Sequence, residues 1–303
     1  GHWGIGYLLV VTGEFVVGRA HLEQALAFYD PAQHRSLASV YYQDPGVSCL
    51  VWLSWALWAL GYPDQARQRS REALALAQEL GHPFTQAFAL GLAAAFHFFR
   101  REPLETEQQA EAAIAIASHN GFPFWASVGM VMRRWALAHQ KSGEAGQSAI
   151  REAIAFARAS GAKQPLPTWL MAGAEVCARR GLVSEGLDLL AEAQTEIDER
   201  GGCVDEAEVY RLRGELLLQS NAEESEADAC FQKAVEIARR QQAKSWELRA
   251  TVSLCRLWQR QGQHEKARRR LAECYGWFTE GFATPDLQEA AKLLDELTRP
   301  YRG

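Results

Sequence analysis

The sequence predicts an all-α solenoid of about seven stacked helix pairs, each about 40 residues long. Two spacings support this fold class. Small residues recur at steps of 40 or 41, at Ala73, Ala113, Ala153, Ala193 and Ala234. Glycines recur at steps of 40, at Gly81, Gly121, Gly161 and Gly201. Because self-similarity at a period of 20–50 residues is typical of repeat architectures, we expect one elongated domain over residues 1–303.

Each repeat is predicted to hold two helices joined by a short turn. The first helix of the second repeat carries leucines at helical spacing, at Leu50, Leu53, Leu57 and Leu60. A turn follows at 61–64, and the second helix ends at Gly81, which can adopt a positive φ without steric cost. Prolines open several of the later helices, at Pro83, Pro123 and Pro165.

The predicted repeats follow one another with one interruption and one terminal addition. They cover residues 2–30, 47–81, 83–121, 123–161, 164–201, 204–242 and 244–281. The insertion at 30–46 is expected to be a loop or a short helix. A last helix at 284–299 carries one apolar stripe, and we expect it to cap the final pair, because the terminal unit of a solenoid otherwise exposes its apolar face.

Small residues seven positions apart predict close helix crossings. Ala66 and Ala73 form one such pair and Gly186 and Ala193 another, each two turns apart on one helix face. In repeat five, Gly181, Gly186, Leu190 and Ala193 together resemble the tetratricopeptide repeat (TPR). The resemblance implies a right-handed superhelix whose concave surface, lined by the first helix of each pair, binds partners. A period near 40 exceeds the usual 34, so the helices are expected to be longer than standard.

The whole chain also resembles a narrower group, the C-terminal region of large bacterial proteins that join a nucleotide cyclase domain, an AAA-type ATPase and TPR repeats. The segments that carry this resemblance are 29–31, 43–46, 56–63, 121–125, 208–217 and 275–282. It implies that the chain is a fragment of a bacterial signalling protein, with the cyclase and ATPase as attached partner domains. Neither a cyclase nor an ATPase signature occurs in this sequence.

The resemblance to TPR proteins also implies which side chains face the concave groove. Transferred repeat by repeat, these positions are Trp55, Trp58, Phe98, Phe99, Trp135, His139, Glu175, Arg179, Arg211, Glu215, Arg249, Arg256 and Arg260. The groove is therefore expected to be aromatic in its N-terminal half and charged in its C-terminal half. The paired Lys and Asn of the family's peptide-carboxylate clamp are missing, so binding of chaperone tails is not supported.

Two of these assignments have a simpler alternative. Aromatic residues at helical spacing, such as Trp52, Trp55 and Trp58, are as compatible with core packing as with an exposed aromatic groove. The arginine stripe of repeat seven, which includes Arg256, is either a solvated face or a site for an acidic patch or a peptide carboxylate. The basic stretch 266–270 is either an outer solvated face or a contact to a neighbouring domain.

Composition and missing motifs narrow the function. A net charge of −5 and an isoelectric point near 6.0 argue against a nucleic-acid partner, and no apolar run is long enough to span a membrane. The six cysteines form no C-x-x-C pair, which indicates free thiols in a reducing cytoplasm and no metal site. Phosphate-binding, serine-nucleophile and zinc-protease motifs do not occur, so we expect no enzymatic activity and no cofactor.

The sequence favours a regulatory scaffold that binds a partner protein or peptide in the concave groove. A small-molecule sensor is the first alternative, and a closed pocket near Trp55, Phe98, Phe99 and Trp135 would favour it. Self-association through the first repeat is another, although a monomer is preferred. An enzyme would require a cleft with convergent titratable groups.

Overall fold

The computed structural model describes residues 1–34, 36–140, 152, 154–155, 165–220 and 222–299. Every regular element in these residues is an α-helix. The first pair consists of α1 (His2–Val11) and α2 (Phe15–Ala27), and the segment after it holds two short helices, α3 (Pro31–His34) and α4 (Leu37–Tyr41). The insertion expected at 30–46 therefore contains short helices.

The remaining helices follow as antiparallel neighbours. Their bounds are α5 (Pro45–Ala59), α6 (Pro63–Leu80), α7 (Pro83–Phe99), α8 (Pro103–Asn120), α9 (Pro123–Gln140), α10 (Leu166–Arg179), α11 (Val183–Asp198), α12 (Glu206–Gln219), α13 (Glu224–Arg240), α14 (Lys244–Arg260), α15 (His264–Tyr275) and α16 (Pro285–Thr298). Of the second helix expected after α9, only residues 152, 154 and 155 are described, and Ala153 and Gly161 lie outside the described residues. No described helix is both long and apolar enough to cross a lipid bilayer.

Helix ends follow from local sequence. Asp44 precedes α5, and its carboxylate accepts a hydrogen bond from the Val47 amide at 3.0 Å, which satisfies a free donor of the first turn. Gly81 and Gly121 end α6 and α8 in the left-handed region. The turn between α7 and α8 puts Arg101 at φ +57°, where the corresponding turns of repeats two and five have Gly61 and Gly181.

Small residues set the distance between neighbouring helices. Ala66 and Ala73 are fully buried on α6, and Ala110 and Ala113 are buried in the same way on α8. A Cβ added to Gly129 of α9 would lie only 2.7 Å from the Ile114 side chain and 2.9 Å from the Ala110 carbonyl oxygen. The α8–α9 crossing therefore depends on the missing side chain at this position.

The early and late repeats of the solenoid contact each other directly. The Val204 amide donates to the Val11 carbonyl at 3.1 Å, and the Ser245 hydroxyl donates to the Trp58 carbonyl at 2.5 Å. Farther along, the Gly281 amide donates to the Asp64 carboxylate at 2.9 Å. Repeats one and two thus meet repeats six and seven.

Candidate functional site

The aromatic positions predicted for the groove lie in the interior. Trp55, Trp58, Phe98, Phe99 and Trp135 are each at most 6% exposed. Trp58 stacks on Phe99 with ring centroids 5.6 Å apart, which joins repeats two and three. These side chains form core and inter-repeat contacts, which is the simpler of the two interpretations of the aromatic spacing.

Trp246 of repeat seven completes this aromatic cluster. Its ring meets Trp58 edge-on at 4.6 Å and Phe99 at 5.6 Å. Its indole N–H donates to the Val204 carbonyl at 3.0 Å, so the polar end of the ring is satisfied inside the protein. The cluster therefore connects residues almost 190 positions apart in the sequence.

Three predicted site residues from repeats four and five come together around one carboxylate. The Trp135 indole donates to Glu175 at 2.8 Å, and a His139 ring nitrogen lies 3.4 Å from the other Glu175 oxygen. Burial alone would raise the pKa of Glu175. The neighbouring His139, the more distant Arg101 and the Trp135 hydrogen bond outweigh burial and lower that pKa to about 2. Glu175 is therefore a fixed negative charge on the inner surface.

Arg249 is buried at the junction of repeats three, six and seven and the last helix. It is 5% exposed and donates to Asp286 at 2.6 Å and to the Phe99 carbonyl oxygen at 2.6 Å. A second carboxylate, Glu208, lies 3.3 Å away. Burial would raise the pKa of Asp286, but the charge of Arg249 outweighs it and holds the pKa below its usual range.

Arg211 is held in the same buried group. It pairs with Glu208 at 2.8 Å and reaches Glu215 at 3.3 Å. The Ser253 hydroxyl donates to Glu215 at 2.6 Å. Two buried arginines thus share Glu208, and its pKa is lowered because their charges outweigh the effect of burial. Arg211 and Arg249 are structural cations here and are not accessible to a ligand.

The other residues predicted for the groove are at least partly exposed. Arg256 is 45% exposed and pairs with Glu289 at 3.0 Å. Arg179 and Arg260 are exposed, and Glu215, His139 and Glu175 are half-buried. We call these six residues the charged inner surface: His139, Glu175, Arg179, Glu215, Arg256 and Arg260.

The sequence did not single out several residues that complete this arrangement. Arg101 pairs with Asp286 at 3.2 Å and with Glu289 at 2.9 Å, which links the turn after α7 to α16. No local pattern marks these partners, because they meet only when the solenoid curves back on itself. The one available signal is the arginine in a turn position that glycine fills in repeats two and five.

A cavity of about 340 Å³ lies beside the aromatic cluster. Its walls come from the first helices of repeats one to five and from the segment before α12. Aromatic side chains form much of its lining, including Tyr7, Trp52, Trp55, Phe88, Trp125 and Trp169. Thr12 is exposed at the margin, and Gln43 and Phe124 are half-buried there, so the cavity opens to solvent.

The polar groups of the cavity wall fall into two classes. Thr168 and Cys203 both donate to the buried Asp205 carboxylate, at 2.6 and 2.8 Å, so these donors are occupied. Burial and the adjacent Asp205 raise the pKa of Cys203 well above that of a free thiol. The indole nitrogens of Trp55 and Trp125 are buried and have no hydrogen-bond partner among the described residues.

The outer face carries the basic stretch of repeat seven. Arg268 and Arg269 both pair with Glu265, at 2.9 and 2.7 Å; Glu265 and Arg269 are exposed and Arg268 is half-buried. Lys266 lies 3.7 Å above the Trp258 ring. Large exposed apolar side chains gather instead at the N-terminal end, at Ile5, Leu8, Val16, Val17, Phe28, Val40, Tyr41 and Tyr42. Self-association through the first repeat stays a prediction.

The described part of the chain holds no metal-binding cluster, and five of its six cysteines are buried. No group of three or more His, Cys, Asp or Glu side chains is arranged there to hold a metal ion. All six cysteines are free thiols, and burial raises the pKa of Cys49, Cys255 and Cys274 to about 12. These thiols are therefore poor nucleophiles at neutral pH.

Comparison with known proteins identifies the fold. No protein-family description matches the chain. The structure of a Rap protein complexed with competence and sporulation factor superposes with a TM-score of 0.62 over 98% of this chain and 86% of that one, at 13% identity. Yeast Tom70 superposes with a TM-score of 0.50 over 93% of this chain and 54% of its own, at 12% identity. The predicted all-α, TPR-like solenoid is confirmed.

At the sequence level, the chain is similar to a curated protein. An uncharacterized protein of Rhizobium meliloti (strain 1021) is 24% identical over 235 residues, which is 77% of this chain. The matched region is 23% of that relative, so this chain spans about a quarter of its length. The resemblance to cyclase–ATPase regulators stays a prediction.

Proposed function

We propose that this chain is a non-catalytic regulatory scaffold that binds a partner protein or peptide through the charged inner surface. The TPR-like fold supports an interaction role of this general kind. The observation that supports the proposal is the exposure of Arg179, Arg256 and Arg260, three of the arginines predicted for the concave wall, whereas Arg211 and Arg249 are buried. Exposed arginines suit bidentate recognition of carboxylates, so the partner segment is acidic.

Binding at this surface would act on the contacts between distant repeats. Arg256 and Arg101 share Glu289 of α16, at 3.0 and 2.9 Å. An acidic segment that engages Arg256 competes with Glu289 and weakens the contact between α14 and α16. The resulting change in solenoid curvature would be relayed to attached domains.

The biological setting follows from the same proposal. The chain would serve as the regulatory part of a cytoplasmic, bacterial multidomain protein, with cyclase and ATPase domains as its attached partners. Its net charge of −5 supports a protein partner over nucleic acid. The curated relative's greater length leaves room for such domains.

The test is a quantitative pull-down with three charge-reversal variants. Arg256→Glu and Arg260→Glu change the charged inner surface, whereas Arg269→Glu changes an exposed arginine on the outer face. We expect a specific partner to be retained by the wild-type chain and by Arg269→Glu, and to be lost from both inner variants. Equal retention by all the variants, with unchanged circular dichroism, would contradict the assignment of this surface.

A further inference from the structure

The cavity beside the aromatic cluster has features of a ligand site that the charged inner surface lacks. Its volume of about 340 Å³ lies at the lower end of the roughly 300–1,000 Å³ range of small-molecule sites. A peptide of several residues exceeds this space, whereas a molecule built on a single ring fits it. Trp52, Trp55 and Trp125 present ring faces and edges for such a ring.

Two unpaired donors indicate what the ligand must carry. The Trp55 and Trp125 indole N–H groups are buried without a partner among the described residues, and each such group costs free energy. A water molecule needs two to four polar partners. The other donors of the inner wall, from Thr168 and Cys203, are already held by Asp205. An organic acceptor therefore fits this wall better than water does.

The lining of the cavity does not favour a ligand that carries a formal charge. Asp205 is fully buried and its pKa is raised because burial outweighs its hydrogen bonds. Its oxygens accept from Thr168 and Cys203. Arg200 at the margin pairs with Glu196. The cavity floor otherwise consists of apolar and aromatic side chains, where an unpaired charge is costly.

We propose that this cavity binds a small, neutral, largely aromatic molecule with at least one acceptor oxygen, which receives a hydrogen bond from the Trp55 or Trp125 indole. A small rotation of either ring within the cavity presents its N–H to the ligand. The site is separate from the charged inner surface and does not depend on the scaffold function proposed above. It is enclosed by repeats one to five, so ligand occupancy also stabilises their closed arrangement.

The experiment uses the whole chain with ¹⁵N-labelled tryptophan and a matched pair of probes. Acetophenone has a carbonyl oxygen, and α-methylstyrene has the same shape with a methylene group in its place. We expect saturable binding of both, with a Kd about two- to tenfold lower for acetophenone because of one added hydrogen bond. The Trp55 and Trp125 indole proton resonances, assigned with Trp55→Phe and Trp125→Phe, should move downfield with acetophenone alone. The Trp277 resonance, from outside the cavity, should not move.

Two variants separate this site from the partner surface. Ala95→Leu places extra carbon atoms in the cavity and should weaken acetophenone binding at least tenfold, whereas Arg256→Glu should leave it unchanged. Absence of saturable binding, equal affinity for both probes, or unshifted indole resonances would overturn the proposal. If Ala95→Leu does not fold, the probe ratio and the indole shifts in the wild-type chain still decide.

Discussion

Arg249 lies where helices from four parts of the chain converge, and its guanidinium is enclosed. It is held by Asp286, Glu208 and the Phe99 carbonyl oxygen, and it lies 4.9 Å from the centre of the Trp246 ring. Replacing this cation leaves two buried carboxylates, Asp286 and Glu208, with one cationic partner fewer, which is far more costly than losing a surface ion pair. The residue therefore acts on stability rather than on ligand contact.

We predict that Arg249→Met lowers the free energy of unfolding by about 3–5 kcal/mol. The matched substitution Arg256→Met removes an exposed partner of Glu289 and should cost no more than about 1 kcal/mol. Urea unfolding followed by circular dichroism measures both values. Similar losses for the two variants would show that Arg249 is not buried in solution as it is in the structure.

The lowered pKa of Glu102 determines how this residue's contribution to stability depends on pH. It accepts hydrogen bonds from Arg100 at 2.9 Å and from His97 at 2.6 Å. Burial would raise its pKa, but these partners outweigh burial and lower the pKa to about 2. Because the unfolded chain takes up this proton at a higher pH, near 4.3, the stabilisation is present above that pH and is lost as the pH falls toward 2.

Glu102→Gln should remove this contribution. We expect the variant to be less stable than the wild type at pH 7, by on the order of 2–3 kcal/mol, and the difference to shrink as the pH falls from about 4.5 toward 2. Urea midpoints measured across this range test the prediction, with Glu105→Gln on the more exposed first turn of α8 as the control. A difference that stays constant with pH would exclude the lowered pKa.

Helix pairing was largely predictable from sequence, whereas the groove was not. The periodic small residues and glycines predict features local to each helix pair. Ala66 is buried on its helix, as its spacing predicts, and Gly81 ends the same helix with a positive φ. Arg249 was expected on one stripe with Arg256 and Arg260, yet Arg249 is buried and only the other two are exposed. The difference arises from Asp286, Glu208 and the Phe99 carbonyl oxygen, which come from distant parts of the chain to enclose Arg249 and leave no periodic signal.

At the scale of helix pairs, Gly129 offers a test of the packing. An added Cβ would lie 2.7 Å from the Ile114 side chain and 2.9 Å from the Ala110 carbonyl oxygen, and a backbone atom cannot move aside cheaply. We predict that Gly129→Ala destabilises the chain by about 1–3 kcal/mol, although alanine favours a helix by up to about 1 kcal/mol. Thermal and urea unfolding provide the measurement.

Gly4 is the control for this substitution because it is also helical and has no neighbouring atom within 4 Å of the added carbon. Gly4→Ala should be neutral or stabilising by up to about 1 kcal/mol. The opposite signs of the two effects would separate packing from helix propensity. If Gly129→Ala is also stabilising, the α8–α9 crossing is wider in solution than in the structure.

Closure of the whole solenoid depends on a close contact between repeat two and the segment before α16. Gly281 has φ +77°, its amide donates to Asp64 at 2.9 Å, and an added Cβ would lie 2.0 Å from the Pro63 ring. Beside it, Glu280 accepts from the Asp64 and Gln65 amides at 2.9 and 3.1 Å. These hydrogen bonds satisfy the first turn of α6 with groups from more than 200 residues away.

We predict that Gly281→Ala disrupts this closure, whereas Gly262→Ala does not. Gly262 has nearly the same backbone conformation, φ +75°, but no atom lies within 4 Å of its added carbon. Both variants carry the same left-handed strain of about 1–2 kcal/mol, so the difference between them isolates the contact with Pro63. Amide exchange at Asp64 and Gln65 should accelerate only in Gly281→Ala, and its radius of gyration should rise. Equal exchange in both variants would mean that the two ends of the solenoid are held together elsewhere, and the buried Arg249 and Trp246 contacts would then be the place to look.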